Sequence, residues 1–129
     1  MNDNRWHQLV TDIEGDDIEL MVEACEHLQN EAEATDVPRL LELLKHESFV
    51  VREAASWPLA IVGGPAALSE LFLAFQRGFD EGLDNDGFTT ALIELVELHP
   101  IKSREKLLEL KNSPNRLIQE NADWLLGFC

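Results

Sequence analysis

Apolar residues recur along this chain at three- and four-residue intervals, and no stretch alternates with a period of two. That spacing predicts helices throughout. Trp6, Leu9, Val10 and Ile13 form a first short stripe, closed by Gly15. Asp16 and Asp17 then offer capping oxygens and negative charge to a helix start. Ile18, Met21, Val22, Cys25 and Leu28 follow and give a second helix one apolar face. Asp36 reads as the next N-cap, with Pro38 tolerated in the first turn of a short helix that carries Leu40, Leu41, Leu43 and Leu44 and ends near His46. Ser48 caps a fourth helix, Phe49 to Val62. It is apolar almost all round and therefore belongs in the middle of a fold. Pro58 inside it removes a backbone donor and predicts a kink, and Gly63-Gly64 stop it before Pro65 restarts the chain.

The same spacing continues. Leu68, Leu71, Phe72, Phe75 and Phe79 mark a fifth helix, and Asp80 to Gly87 form the longest polar loop. Phe88, Leu92, Leu95 and Val96 mark a sixth, ended by His99-Pro100. Ser103 is expected to cap a seventh with Leu107, Leu108 and Leu110. Ser113-Pro114-Asn115 open an eighth with Leu117, Ile118, Ala122, Leu125 and Leu126. Eight helices joined by short turns make an all-α chain.

The chain also repeats itself. Arg39–Leu59 aligns with Lys106–Leu126 at an offset of 67 residues without a gap, and eight of the 21 positions are identical. The identities include Leu40/Leu107, Leu41/Leu108, Glu53/Glu120, Ala55/Ala122, Trp57/Trp124 and Leu59/Leu126. The offset is about twice the period of a helix-hairpin repeat. A unit over 65–100 fits between the two copies. A first unit fits at an offset of 31, with Leu9-Val10 under Leu40-Leu41, Ala24 under Ala55 and Leu28 under Leu59. One repeat domain over 1–129 results, with units 1–35, 36–64, 65–100 and 101–129.

This pattern resembles HEAT-like repeats, specifically the short variety named after phycobilisome lyases. The second helix of that repeat carries a Val-Arg-x-x-Ala-x-x-x-Leu core followed by Gly, matched here by Val51, Arg52, Ala55, Leu59 and Gly63. Ile118, Ala122, Leu126 and Gly127 keep most of it in the last unit, where Gln119 replaces the arginine. The third unit departs further, with Thr90-Ala91-Leu92. The resemblance implies a right-handed α-α superhelix, a curved solenoid of four hairpins with the second helices lining its inner face. It also implies binding of other macromolecules, with no chemistry in the repeats themselves.

Charge narrows the choice of partner. The 129 residues carry 25 acids and ten bases, a formal net charge of −15. Residues 1–36 hold eleven acids and one base, and residues 66–99 hold seven acids and one base. The segments 37–65 and 100–129 are near neutral. Such a field attracts basic partners and repels nucleic acid and anionic membranes. No apolar run approaches the roughly 20 residues that span a bilayer, and MNDNRWHQLV lacks the order of a secretory signal. A cytoplasmic protein is expected. Cys25 and Cys129 form no CxxC, the four histidines have no metal spacing, and two free thiols suit a reducing compartment. A Cys25–Cys129 pairing stays open.

Candidate site residues follow from charge and aromatic placement. Glu19, Glu23 and Glu26 stand at i, i+4 and i+7 and make an acidic stripe, which Glu94 and Glu97 extend on the sixth helix. Trp57 and Trp124 occupy equivalent repeat positions and are candidate hydrophobic anchors. Packing between hairpins is the competing role for both. Asp84-Asn85-Asp86-Gly87 has the look of a calcium loop, but aligning Gly87 with its turn glycine puts Gly82 and Ile93 at the first and last ligand positions. A turn with Asp86 capping helix six is expected instead. Lys102, Arg104, Lys106, Lys111 and Arg116 form the one basic cluster and balance helix ends. No catalytic, cofactor or metal residue is assigned. The expected function is a non-enzymatic protein-binding adaptor, in its sharpest form an acidic inhibitor or immunity protein docked on a basic partner. The alternative is a lyase-like protein that handles a small ligand or cofactor.

Overall fold

The computed structural model describes residues 1–129 and contains eight α-helices and no strand. They are α1 (Asp3–Glu14), α2 (Ile18–Glu31), α3 (Val37–Leu43), α4 (Phe49–Val62), α5 (Leu68–Asp80), α6 (Asp86–Leu98), α7 (Pro100–Lys111) and α8 (Arg116–Leu126). Short 3-10 turns at Ala34–Asp36 and Gly64–Ala67 precede α3 and α5. Side-chain oxygens cap three helices: Asn2 accepts from the Arg5 N–H, Asp17 from Leu20, and Asn115 from Leu117 and Ile118. Each satisfies a donor that the first turn leaves without a helical partner. None of the helices is long and apolar enough to cross a membrane.

Several expected caps fall elsewhere. α7 begins at Pro100, which gives up no donor there, so Ser103 lies inside the helix, fully buried with its hydroxyl unpartnered. Asn85, not Asp86, is the residue before α6, and α5 runs on to Asp80, which shortens the loop to 81–85. Ser48 precedes α4 without a capping bond. Asp36 directly precedes α3 but makes no capping bond to it, giving its side chain instead to the preceding turn, to Arg39 and to the chain's first residue. One carboxylate oxygen accepts from the Glu33 N–H at 2.8 Å and the other from Arg39 at 2.7 Å, with the Met1 ammonium nearby. α4 continues as α-helix through Pro58.

Consecutive helices pair as hairpins, α1 with α2, α3 with α4, α5 with α6 and α7 with α8. As its composition predicts, α4 is central, packing on α1, α2, α3, α5 and α6. The core is one cluster of 27 buried apolar residues. Its largest members, among them Phe72, Phe75, Phe88 and Leu59, are each worth roughly 1.5–3 kcal/mol of burial. The expected apolar face of α2 divides instead. Ala24 and Leu28 enter the core, but Ile18 is 70% and Val22 57% exposed. The cause is rotation: α2 presents its small Ala24 side to its neighbours, so Ile18 and Val22 face outward while Cys25 stays partly buried at the edge of the core.

One buried cation ties the loops to the core. Arg52 on α4 is wholly inaccessible. Its Nη1 donates to the carbonyls of His46 and Glu47 at 3.0 and 2.9 Å, and its Nη2 donates to Glu81. The guanidinium also lies 5.6 Å from the Phe49 ring centroid. It therefore joins the α3–α4 turn to the start of the α5–α6 loop.

Candidate functional site

Three helices open a groove. Cys25 and Gln29 of α2, Val50, Glu53, Ala54, Ser56 and Trp57 of α4, and Gly87 and Thr90 of α6 line a cavity of about 300 Å³. Helical spacing explains the set. Val50, Glu53 and Trp57 stand three and four residues apart and share one face of α4, which exposed Ile61 prolongs. Gly87, Thr90, Glu94 and Glu97 share one face of α6 in the same way, and Ile18, Val22, Cys25 and Gln29 one face of α2. The groove thus has apolar and acidic walls together.

Glu53 is the distinctive group. It is half-buried and meets the start of α6, where a Cβ at Gly87 would come within 2.7 Å of its Cγ and Cδ. A glycine here lets α6 approach without displacing the Glu53 side chain. Burial pushes the Glu53 carboxyl above its ordinary range, the Gly87 N–H pulls it back, and the charges of Asp84 and Asp86 push it up again. The neighbouring Cys25 thiol is also pushed up, first by burial and then by Glu53. It is therefore held in its protonated form and is not activated as a nucleophile. The two cysteines are free thiols.

Cations are absent from these walls because they are used elsewhere. Arg5 pairs with Glu31, Arg39 with Asp36 and Asp3, Arg52 and Arg77 with Glu81, and Arg116 with Glu120. Lys45, Lys106 and Lys111 pair with Glu42, Glu109 and Asp123. Only Lys102 and Arg104 lack a carboxylate at ion-pair distance, and neither lines the groove. Glu53, Glu94 and Glu97 enter no ion pair. No group of three or more His, Cys, Asp or Glu is placed to hold a metal ion, and Asp84 accepts instead from the Asp86 N–H at 3.0 Å.

The candidate residues from the sequence separate into three groups. Trp57 lines the groove, and Glu94 and Glu97 continue its α6 wall. Glu19, Glu23 and Glu26 are exposed on α2, turned by about 80° or more from the Cys25–Gln29 direction, so they flank the groove and do not line it. Trp124 lies apart: it stacks on Phe75 of α5 at 6.2 Å, meets Phe128 edge-on at 5.5 Å and stays 40% exposed. The equivalent repeat positions of the two tryptophans do not bring them to the same neighbours. Phe88 is wholly buried against Phe49, at 5.9 Å. Glu53 was the overlooked member, although the repeat alignment carries it beside Trp57 as it carries Glu120 beside Trp124.

Comparison with protein-family models, with curated proteins and with solved structures returns no match to this chain.

Proposed function

We propose that this protein is a non-enzymatic binding module, a HEAT-like right-handed solenoid whose second helices α2, α4 and α6 form the inner face that docks on a basic partner protein. Its sharpest form is an acidic inhibitor, such as an immunity protein that occupies the basic cleft of a toxin. The observation that carries this reading is the groove itself. It sets Val50 and Trp57 beside Glu53, and exposed Ile61 on α4 and Glu94 and Glu97 on α6 prolong its walls; none of these three carboxylates has a cation of its own. Apolar anchors rimmed by uncompensated charge are the composition of a protein interface with electrostatic steering. The net charge of −15 extends that attraction beyond the contact surface.

The test is kinetic. Immobilised protein should retain a basic protein from a lysate of its source at low salt. The association rate of the isolated pair should fall at least about tenfold between roughly 0.05 and 0.5 M salt, because screening removes the steering. A captured partner that is acidic, or a rate indifferent to salt, would refute the proposal.

A further inference from the structure

We infer that the part of the groove between Glu53 and Trp57 is a pocket for a single arginine or lysine side chain of the bound protein. The inference rests on the proposed docking role for the source of that cation, and on geometry for its place. Glu53 and Trp57 stand one helical turn apart on α4 and line the same cavity. A carboxylate and an indole on one face offer a cation both an ion pair and a π surface. Of the remaining lining residues, Cys25, Gln29, Ser56 and Thr90 are small or polar, Ala54 and Gly87 leave room, and Val50 offers an apolar surface for the aliphatic stem of the cation. The cavity of about 300 Å³ has the size for one long side chain rather than a large ligand.

The chain builds comparable constellations with arginines of its own. Arg39 is held by Asp36 at 2.7 Å and lies 4.5 Å from the Trp6 ring centroid. Arg52 is held by Glu81 and lies over Phe49. Glu120, the repeat counterpart of Glu53, takes Arg116 one turn earlier at 3.0 Å. Phe49 stands at the position equivalent to Arg116, so Glu53 has no such neighbour. Burial first, and the charges of Asp84 and Asp86 after it, disfavour the ionised Glu53 carboxyl, and an incoming guanidinium would offset both. Arginine suits the site better than lysine, since its planar group both stacks and bridges.

The probe is N-acetyl-arginine amide, with the uncharged citrulline analogue as control. It is titrated into the ¹⁵N-labelled protein at low salt, with the Trp57 indole signal assigned through Trp57→Phe. The Trp57 indole and the Gly87 and Thr90 amides should shift saturably with the arginine compound and not with citrulline. Glu53→Gln should weaken binding about tenfold or more, and Glu23→Gln on the flank of α2 should not. Equal shifts from both compounds, or unchanged affinity in Glu53→Gln, would overturn the pocket. Hexa-arginine separates the two readings. If it binds wild type and Glu53→Gln equally well, the acidic docking role stands and the pocket falls. If it fails to bind at low salt, the docking role falls as well. A melting curve of Glu53→Gln checks that the variant is folded.

Discussion

Replacing Arg52 by methionine removes a buried charge while keeping most of the stem volume. The change abolishes the bonds to the carbonyls of His46 and Glu47 and the pair with Glu81. Two hydrogen bonds from a charged donor contribute about 1.5 kcal/mol each at the lower end of their range. The pair with Glu81, whose carboxylate is more than a third exposed, adds little beyond this, because water screens it. Against this, the Arg52 Nε is buried without a partner, and deleting that group returns about 1 kcal/mol. The net expected loss is about 2–3 kcal/mol. For 129 residues the unfolding entropy near the midpoint is about 0.27 kcal/mol/K, so Tm should drop by about 7–11 °C. Calorimetry with parallel urea titrations measures both quantities. Glu81→Gln should cost well under half of what Arg52→Met does, because its carboxylate can hydrate. Arg52→Met within about 0.5 kcal/mol of wild type, or Glu81→Gln as damaging as Arg52→Met, would refute the assignment of the energy to the two carbonyls.

Other outcomes follow from the same geometry. A Cβ at Gly78 would lie 2.0 Å from the Asn85 Oδ1, so Gly78→Ala should expel an amide that now donates to the Phe75 carbonyl at 2.9 Å. The expected loss is about 2–4 kcal/mol, read by urea titration, with Asn85→Ala partly rescuing it. Asp36 is pushed up by burial but held below its ordinary range by the Glu33 N–H, Arg39 and the Met1 ammonium, which together outweigh it. Its stabilising contribution is therefore present above the ordinary carboxylate pKa and lost as pH falls through the lowered folded value. Asp36→Asn should flatten the acid limb of a Tm-versus-pH curve. Glu53 has the opposite sign: its folded value is raised, so its stabilising share exists below the ordinary value and is lost as pH rises through the folded one. Glu53→Gln should accordingly raise Tm at pH 7 and not at pH 3.

Much of the helix order was legible because each element has a local signature. Gly15, the Asp16-Asp17 pair, Gly63-Gly64 and Asn115 end or begin helices by chemistry confined to a few residues. The largely apolar character of Phe49–Val62, interrupted only by Arg52, Glu53 and Ser56, placed α4 at the centre for the same reason: too little polar surface was left for a full solvent face. The site was less legible. Ile18 and Val22 read as core because spacing cannot say which of two adjacent lines a helix turns inward, and the small Ala24 decided it. Asp36 read as a simple cap because its partner Arg39 is local but the Met1 ammonium comes from 35 residues away. Glu53 was hidden by abundance. Among 25 acids nothing local marks the one that meets Gly87, which becomes visible only when α6 is laid against α4.

The central place of α4 has a consequence for how the molecule comes apart. In an ideal linear array each unit leans only on its neighbours, and the ends loosen independently. Here α1, α2, α3, α5 and α6 all pack on α4, which buries Val51, Ala55 and Leu59 completely, so the first three hairpins share one core element. The α7–α8 hairpin reaches the remainder mainly through α5, α6 and the Gly64–Ala67 turn. This arrangement predicts a cooperative block with one detachable flap: backbone amides of α4 should exchange with solvent only on global opening, and those of α8 by a smaller, separate excursion.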